Sequence, residues 1–291
     1  MSVPVPLRAT PRLLSDRRLT RWLLAPAACW MAVFFFIPLV LVLLISFATR
    51  GTYGGIEWIP TLDNYALLGD FLYLRVYGRS LVLATLTTVL CLVAGFPLAY
   101  YIARAPLRWQ GAWILLVMVP FWTNFLVRTY AWMFILRTEG VMNTMLIKSG
   151  VIVNPVEILY SEAAVLIGLV YGYLPFMVLP LYAVLGRADF TLVEAAWDLY
   201  ASGWAVFQRI ILPLAKPGVI AGCVLVFIPA LGAYITPDLL GGARTMMVGN
   251  LIQHEYLVVR DWPLGSAFSF VLMAMVLVAA VVYMKVKRAA Q

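Results

Sequence analysis

The sequence predicts an all-α, polytopic membrane protein with six transmembrane helices and both termini cytoplasmic. Three observations carry that prediction. Hydrophobic residues make up 64% of the 291-residue chain and charged residues 12%, against roughly 25% charged in soluble domains. Apolar runs recur along the chain, each able to reach or approach the ~20 residues that cross ~30 Å of hydrocarbon. The charges between the runs are uneven, and that asymmetry orients the chain.

In order, residues 1–21 form a polar, basic tail carrying Arg8, Arg12, Arg17, Arg18 and Arg21. The run Trp22–Ala48 is longer than a signal-peptide core of ~7–15 residues and is expected to be retained as the first span. Five more spans follow at Ser80–Ala103, Gly111–Leu136, Ala163–Leu185, Val219–Tyr234 and Leu264–Met284, the fifth being the shortest, and residues 285–291 form a second basic tail. Residues 22–284 are read as one membrane domain without internal repeats.

Orientation follows from Lys and Arg. The N-terminal tail, Arg104–Gln110, Arg187–Gly218 and the C-terminal tail together hold 13 basic and 4 acidic residues, while the opposite connections hold 7 and 9. An excess of basic residues marks the cytoplasmic side. The outer connections Thr49–Arg79, Arg137–Glu162 and Pro237–Pro263 are therefore acidic, either as a by-product of this sorting or to concentrate cations. A short interfacial helix is expected at Val141–Ser149.

Other classes are excluded in turn. The net charge of +8 sits mainly in short loops beside apolar spans, so membrane orientation explains it better than nucleic acid. Cys29, Cys91 and Cys223 lie in apolar runs without metal-ligand spacing and read as small buried hydrophobes. His254 is the only histidine, so no His-based metal site can assemble. No glycine-rich loop ends in Gly-Lys-Ser/Thr, no nucleophile–base set converges, and the chain is not read as an enzyme or as holding a cofactor.

The segment Arg187–Gly218 carries Arg187, Asp189, Glu194, Asp198, Arg209 and Lys216. Each charge would cost roughly 3 kcal/mol in hydrocarbon, so the segment leaves the membrane. Thr191-x-x-Glu194 reads as a capping box. Leu192, Ala195, Ala196 and Leu199 then recur at helical spacing until Ser202-Gly203. A second short helix is expected over Trp204–Leu212, ended by Pro213 and Pro217-Gly218. Helices this far below ~12–15 residues need a surface to lean on, and an apolar-faced pair suits a groove on a partner.

Glu194-Ala195-Ala196 followed by Ile210-Ile211-Leu212-Pro213 resembles the EAA loop of permease subunits in binding-protein-dependent ABC importers. The resemblance implies a coupling loop between spans four and five that docks into a separate ATPase, which binds ATP and Mg. The glycine expected six residues after Glu194 is Tyr200 here, which leaves Gly203 to supply the turn.

More widely, Pro120–Trp132, Glu139–Asn143, Tyr171–Tyr182, Thr236–Gly242 and Arg260–Ala267 resemble polyamine importer permeases of the spermidine/putrescine type. That resemblance implies a bacterial inner-membrane core of this permease, a second related permease, two ATPase copies and a periplasmic or tethered binding protein. Where some relatives carry a carboxylate, this chain has Ala233. An importer of another small solute, a stand-alone secondary transporter and a non-transporting assembly protein are the alternatives. The secondary transporter lacks the mid-membrane carboxylates its ion coupling would need.

Candidates for the translocation path are Trp122, Asn124, Tyr130, Tyr173, Tyr234 and Asp238. Rings offer ~0.5–2 kcal/mol per cation contact, and Asp238 is the outer-gate carboxylate or a helix cap. Arg128 is expected near the outer boundary in a structural role, paired with Glu139. Trp132 is expected in an aromatic belt. Pro175 and Pro180 loosen the fourth span, which leads into the coupling loop as a lever.

Overall fold

The computed structural model describes residues 17–289. Its helices are α1 (Arg17–Ser46), α2 (Asp63–Leu67), α3 (Phe71–Arg104), α4 (Leu107–Trp122), α5 (Phe125–Leu136), α6 (Val141–Lys148), α7 (Glu162–Leu185), α8 (Thr191–Asp198), α9 (Gly203–Val206), α10 (Leu212–Leu231), α11 (Val248–His254) and α12 (Trp262–Ala289). A small antiparallel hairpin pairs β1 (Thr49–Arg50) with β2 (Ile56–Glu57). Residues 1–16 and 290–291, parts of the two expected tails, lie outside the described residues.

Four stretches are long and apolar enough to cross a membrane: Trp22–Ser46, Phe71–Arg104, Glu162–Leu185 and Gly203–Leu231. The third expected span is not a straight rod. It breaks at Thr123-Asn124, and the halves Leu107–Trp122 and Phe125–Lys148 meet at 86°. The break has a local cause. Asn124 caps α5 by accepting the Leu126 N–H at 2.8 Å, and the Thr123 hydroxyl turns back to the Pro120 carbonyl at 2.7 Å. Both side chains offer the backbone partners that a continuous helix would not need. The expected interfacial helix is present as α6, and α12 carries a further apolar stretch, Trp262–Val278.

The core is the bundle of α3, α7 and α10. Cys91, Ala99 and Ile102 from α3 meet Met177, Val178, Leu181 and Leu185 from α7 and Ala215 and Val226 from α10, all buried. Small residues let α10 approach α7, as membrane helices require when packing rather than solvent exclusion drives association. A Cβ added at Gly218 would lie 2.9 Å from the Pro180 carbonyl oxygen, and one at Gly222 would lie 2.6 Å from Met177 Sδ. The long apolar stretch of α1 buries nothing in this core and packs on α12.

The segment Arg187–Gly218 differs from expectation in one respect that matters for function. Pro213 does not end a helix. Gly203–Leu231 is one rod of 29 residues, because a π-helical turn over Phe207–Ile211 shifts the hydrogen-bond register just where Pro213 lacks an N–H. Pro213 then occupies the first turn of α10, where a missing donor costs nothing. Val193, Val206 and Ile211 join the same buried cluster as the α3, α7 and α10 side chains. The segment is thus fused to the bundle instead of hanging from it.

Three buried asparagines hold the connections. Asn64 donates to the Ser46 and Ala48 carbonyls, Asn250 to the Tyr234 carbonyl, and Asn143 to the carbonyls of Arg137, Thr138 and Val156. Irregular backbone buried in a membrane protein must find such partners.

Candidate functional site

In the segment expected to face the cytoplasm, α8 shows an exposed face made by Glu194, Ala195, Asp198 and Leu199, with Ala196 half-buried beneath it. The Thr191–Glu194 capping box does not form. Thr191 is already helical, and Asp189 takes the capping role by accepting both the Thr191 N–H (3.0 Å) and its hydroxyl (2.7 Å). These two bonds hold the Asp189 carboxyl below its ordinary pKa. Ser202 caps α9 through the Ala205 N–H. The turn between the helices is supplied by Tyr200, not Gly203: Tyr200 sits at φ 57° and is 97% exposed. A glycine is expected at this position because only glycine adopts that backbone without strain.

Arg104, at the end of α3, binds this segment to the bundle. Its guanidinium lies 5.9 Å from the Tyr100 ring, 5.8 Å from Phe190 and 5.5 Å from Trp197. Phe190 and Trp197 flank α8, so the arginine fastens the segment to α3. Gln110 completes the joint. It donates to the Ala103 and Ala105 carbonyls and accepts the Tyr182 hydroxyl at 2.9 Å, linking the turn after α3 to α7.

Inside the bundle, the elbow between α4 and α5 borders a cavity of about 340 Å³ lined by Phe121, Phe125, Arg128, Gly172, Tyr173, Phe176, Pro229, Gly232, Ala233, Tyr234 and Ile235. No carboxylate belongs to this lining. The ends of two helices reach it: Phe121 comes from the last turn of α4, and Pro229 from the last turn of α10. Helix C-termini carry partial negative charge and unpaired carbonyls. The Tyr173 hydroxyl satisfies one of these, donating to the Pro229 carbonyl at 3.1 Å.

Arg128 is 9% exposed and does not pair with Glu139. Among the described residues the only ion pair is Arg79 with Glu162 at 3.0 Å. The guanidinium instead folds back across the elbow, 5.5 Å from the Phe121 ring, 5.2 Å from Phe125 and 5.8 Å from Tyr171. Its one hydrogen bond, to the Pro120 carbonyl, is long at 3.4 Å. The expected partner Glu139 is thus replaced by rings gathered at the elbow. Trp132 likewise packs inward, edge-on to Tyr171 at 5.3 Å.

Of the six path candidates, Tyr173 and Tyr234 line the cavity. Trp122 (69% exposed), Tyr130 (48% exposed), Asn124 and Asp238 lie outside that lining. Asp238 is exposed in a π-helical turn and caps nothing through its side chain among the described residues. Phe121, Phe125 and Phe176 were not singled out by sequence; their approach depends on the elbow, which the apolar pattern hides.

On the opposite side a wider groove of about 1020 Å³ is lined by residues including Arg137, Glu139, Glu157, Tyr160, Gly242 and Arg244. Tyr160 and Gly242 both have positive φ (64° and 53°) and press together, with a Cβ on Gly242 falling 2.9 Å from Tyr160 Cδ1. Nearby connections bury Glu255, whose pKa is raised, first by burial and then by the neighbouring Asp261 charge.

No protein-family model matches the chain. Curated relatives do. The spermidine/putrescine transport system permease protein PotB of Escherichia coli K12 is 43% identical over 259 residues, spanning 89% of this chain and 94% of that protein. Its Haemophilus influenzae counterpart is 42% identical, covering 89% and 91%. The Escherichia coli inner membrane ABC transporter permease protein YdcU is 30% identical, covering 72% and 71%. Among solved structures, a chain of a bacterial alginate ABC transporter superposes with TM-score 0.75 at 18% identity over 91% of this chain and 92% of that one. A chain of the inward-facing MetNI methionine ABC transporter gives 0.54 at 16% identity over 75% and 95%. The fold is therefore that of ABC importer permeases, and the chain belongs to the family of PotB spermidine/putrescine transport permeases.

Proposed function

We propose that this chain forms part of the path by which a binding-protein-dependent ABC importer brings polyamines, of the spermidine/putrescine class, across a bacterial inner membrane. It works with a second permease, a binding protein and a separate ATPase that holds ATP and Mg. In this reading the chain crosses the membrane six times with both termini cytoplasmic, and the broken α4–α5 pair makes the third crossing. The observation that carries the polyamine reading is the 43% identity to a spermidine/putrescine transport permease over 89% of the chain, with a cavity at the elbow that sets ring faces and helix C-termini around Arg128. The rings and helix C-termini of that lining attract a cation while Arg128 in the same lining repels one, so a bound cation is held weakly enough to leave.

The ATPase docks on the exposed face of α8, with Glu194, Ala195 and Tyr200 outward and Ala196 beneath. Its stroke reaches the membrane by two routes. The rod Gly203–Leu231 carries it through Ile210, Leu212 and Pro213 to the cavity, where Pro229 and Tyr234 sit. The Arg104 box carries it to α3. The lever thus includes the second span as well as the fourth and fifth.

Uptake of labelled spermidine or putrescine into vesicles holding the whole complex tests this. Polyamine-dependent, ATP-driven uptake supports it. Uptake of an unrelated solute alone overturns the substrate assignment, and uptake by this chain without the ATPase overturns the mechanism. Because Val193, Val206 and Ile211 are core residues, deletion of the segment would test folding. Glu194→Arg with Ala195→Trp alters only the exposed face, and is expected to abolish ATPase co-purification while leaving insertion intact.

A further inference from the structure

The buried Arg128 is a cation without an anion. Guanidinium carries five N–H donors, and among the described residues one long hydrogen bond and three rings are all that answer it. A charge held this far from water is ordinarily paired. It stands beside a cavity whose acceptors (ring faces and the C-terminal ends of α4 and α10) suit an ammonium group equally well. Two cations cannot share that set.

We propose that Arg128 is a placeholder: it occupies the cation site of the elbow cavity when the path is empty, and an alkylammonium substrate displaces it. The consequence is mechanical. Arg128 rises from the first turn of α5, crosses to Pro120 and Phe121 of α4, and also meets Tyr171 of α7. While seated, it pins the 86° bend. Once an ammonium takes the rings and carbonyls, that pin is released and α5 is free to move against α4. Substrate occupancy and helix geometry are then coupled through one side chain. This inference rests on the polyamine reading and deepens it.

The test uses the intact complex in vesicles, as wild type, Arg128→Ala and Phe121→Leu. ATPase activity is read without binding protein, with and without millimolar methylguanidinium. With the pin gone, Arg128→Ala raises this idle activity about tenfold, the equivalent of about 1.4 kcal/mol. Methylguanidinium returns it toward the wild-type rate, and sodium sulfate at equal ionic strength does not. In Arg128→Ala alone, methylguanidinium also raises the KM for polyamine several-fold without lowering kcat, because both compete for one site. Phe121→Leu gives a smaller rise in idle activity.

Unchanged idle activity in Arg128→Ala overturns the proposal, and so does rescue by sulfate, which would mark an anion site. Should Arg128→Ala fail to assemble, Phe121→Leu and Tyr171→Leu decide: wild-type idle rates in both overturn it. Polyamine uptake by the wild-type vesicles is scored separately. Its absence removes the transport reading, whereas intact uptake with no Arg128 contrast removes only the placeholder.

Discussion

Two arginines in this molecule are held by the same interaction in opposite surroundings. Arg104 is exposed and sits over Tyr100, Phe190 and Trp197; Arg128 is 9% exposed and sits over Phe121, Phe125 and Tyr171. In water a cation–ring contact gives ~0.5–1 kcal/mol, and desolvated ~2 kcal/mol or more. The exposed box is therefore a cheap fastener that can be left in place through a cycle. In the buried box each contact is stronger, yet the charge remains unpaired in a setting where that costs several kcal/mol. Three rings suffice for Arg104, whereas the three around Arg128 only part-compensate its charge. In the proposed cycle, the Arg104 end transmits force and the Arg128 elbow changes state.

Substitutions can break that contrast, and the largest effect belongs at the tight end. Gly218→Val forces a side chain onto the Pro180 carbonyl, at about 1–3 kcal/mol or more for an overpacked site. Thermal unfolding of the purified chain is expected to fall by several degrees. At the loose end, Gly232 has nothing within 4 Å of an added Cβ, and Gly232→Ala is expected to leave the melting temperature nearly unchanged. Equal losses from the two would erase the distinction.

The next effect is functional. Arg104→Ala removes three weak contacts together, about 1.5–3 kcal/mol in sum if they add. Maximal ATP-driven uptake is expected to drop several-fold with ATPase co-purification kept, since the α8 face itself is untouched. Loss of co-purification would instead make Arg104 part of the docking surface.

Tyr200→Gly is a smaller change with the opposite sign. Relief of left-handed backbone should raise stability by about 1 kcal/mol. A lower melting temperature would mean that the tyrosine ring, not the turn, holds the segment.

The smallest effects are pH-dependent. Glu255 has a raised pKa, so its folded-state contribution is fully present below the unfolded carboxylate range and is lost as pH rises through the folded value. Glu255→Gln should therefore raise the melting temperature at neutral pH and not at pH below the carboxylate range. Asp189 has a lowered pKa, so its contribution is present at neutral pH and fades on acidification. Asp189→Asn should weaken the α8 cap slightly at neutral pH, read as faster amide exchange at Thr191.

Much of the fold was legible because membrane physics leaves few options. Long apolar runs foretold the spanning helices, and α6 was found where expected. Where expectation failed, the reasons are local. The elbow at Thr123-Asn124 lies inside an apolar run, and hydropathy does not register two polar side chains that bond to backbone. Pro213 read as a stop because the π turn that accommodates it has no sequence signature. Tyr200 read as a missing glycine, whereas the turn keeps its geometry and accepts the strain. The site was the least legible part. Arg128 was visible, but its rings come from α4, α5 and α7, which only the bend brings together. Phe190 and Trp197 around Arg104 pose the same difficulty across nearly 90 residues.

The central claim is that α8 faces the cytoplasm and is covered by a nucleotide-driven partner. The direct measurement places a single cysteine at Ala195, with Cys29, Cys91 and Cys223 replaced, and labels it with a membrane-impermeant maleimide. The account predicts labelling only from the cytoplasmic side, and protection once the ATPase is bound. Labelling of the outer face of sealed cells, or equal labelling with and without the ATPase, would contradict it.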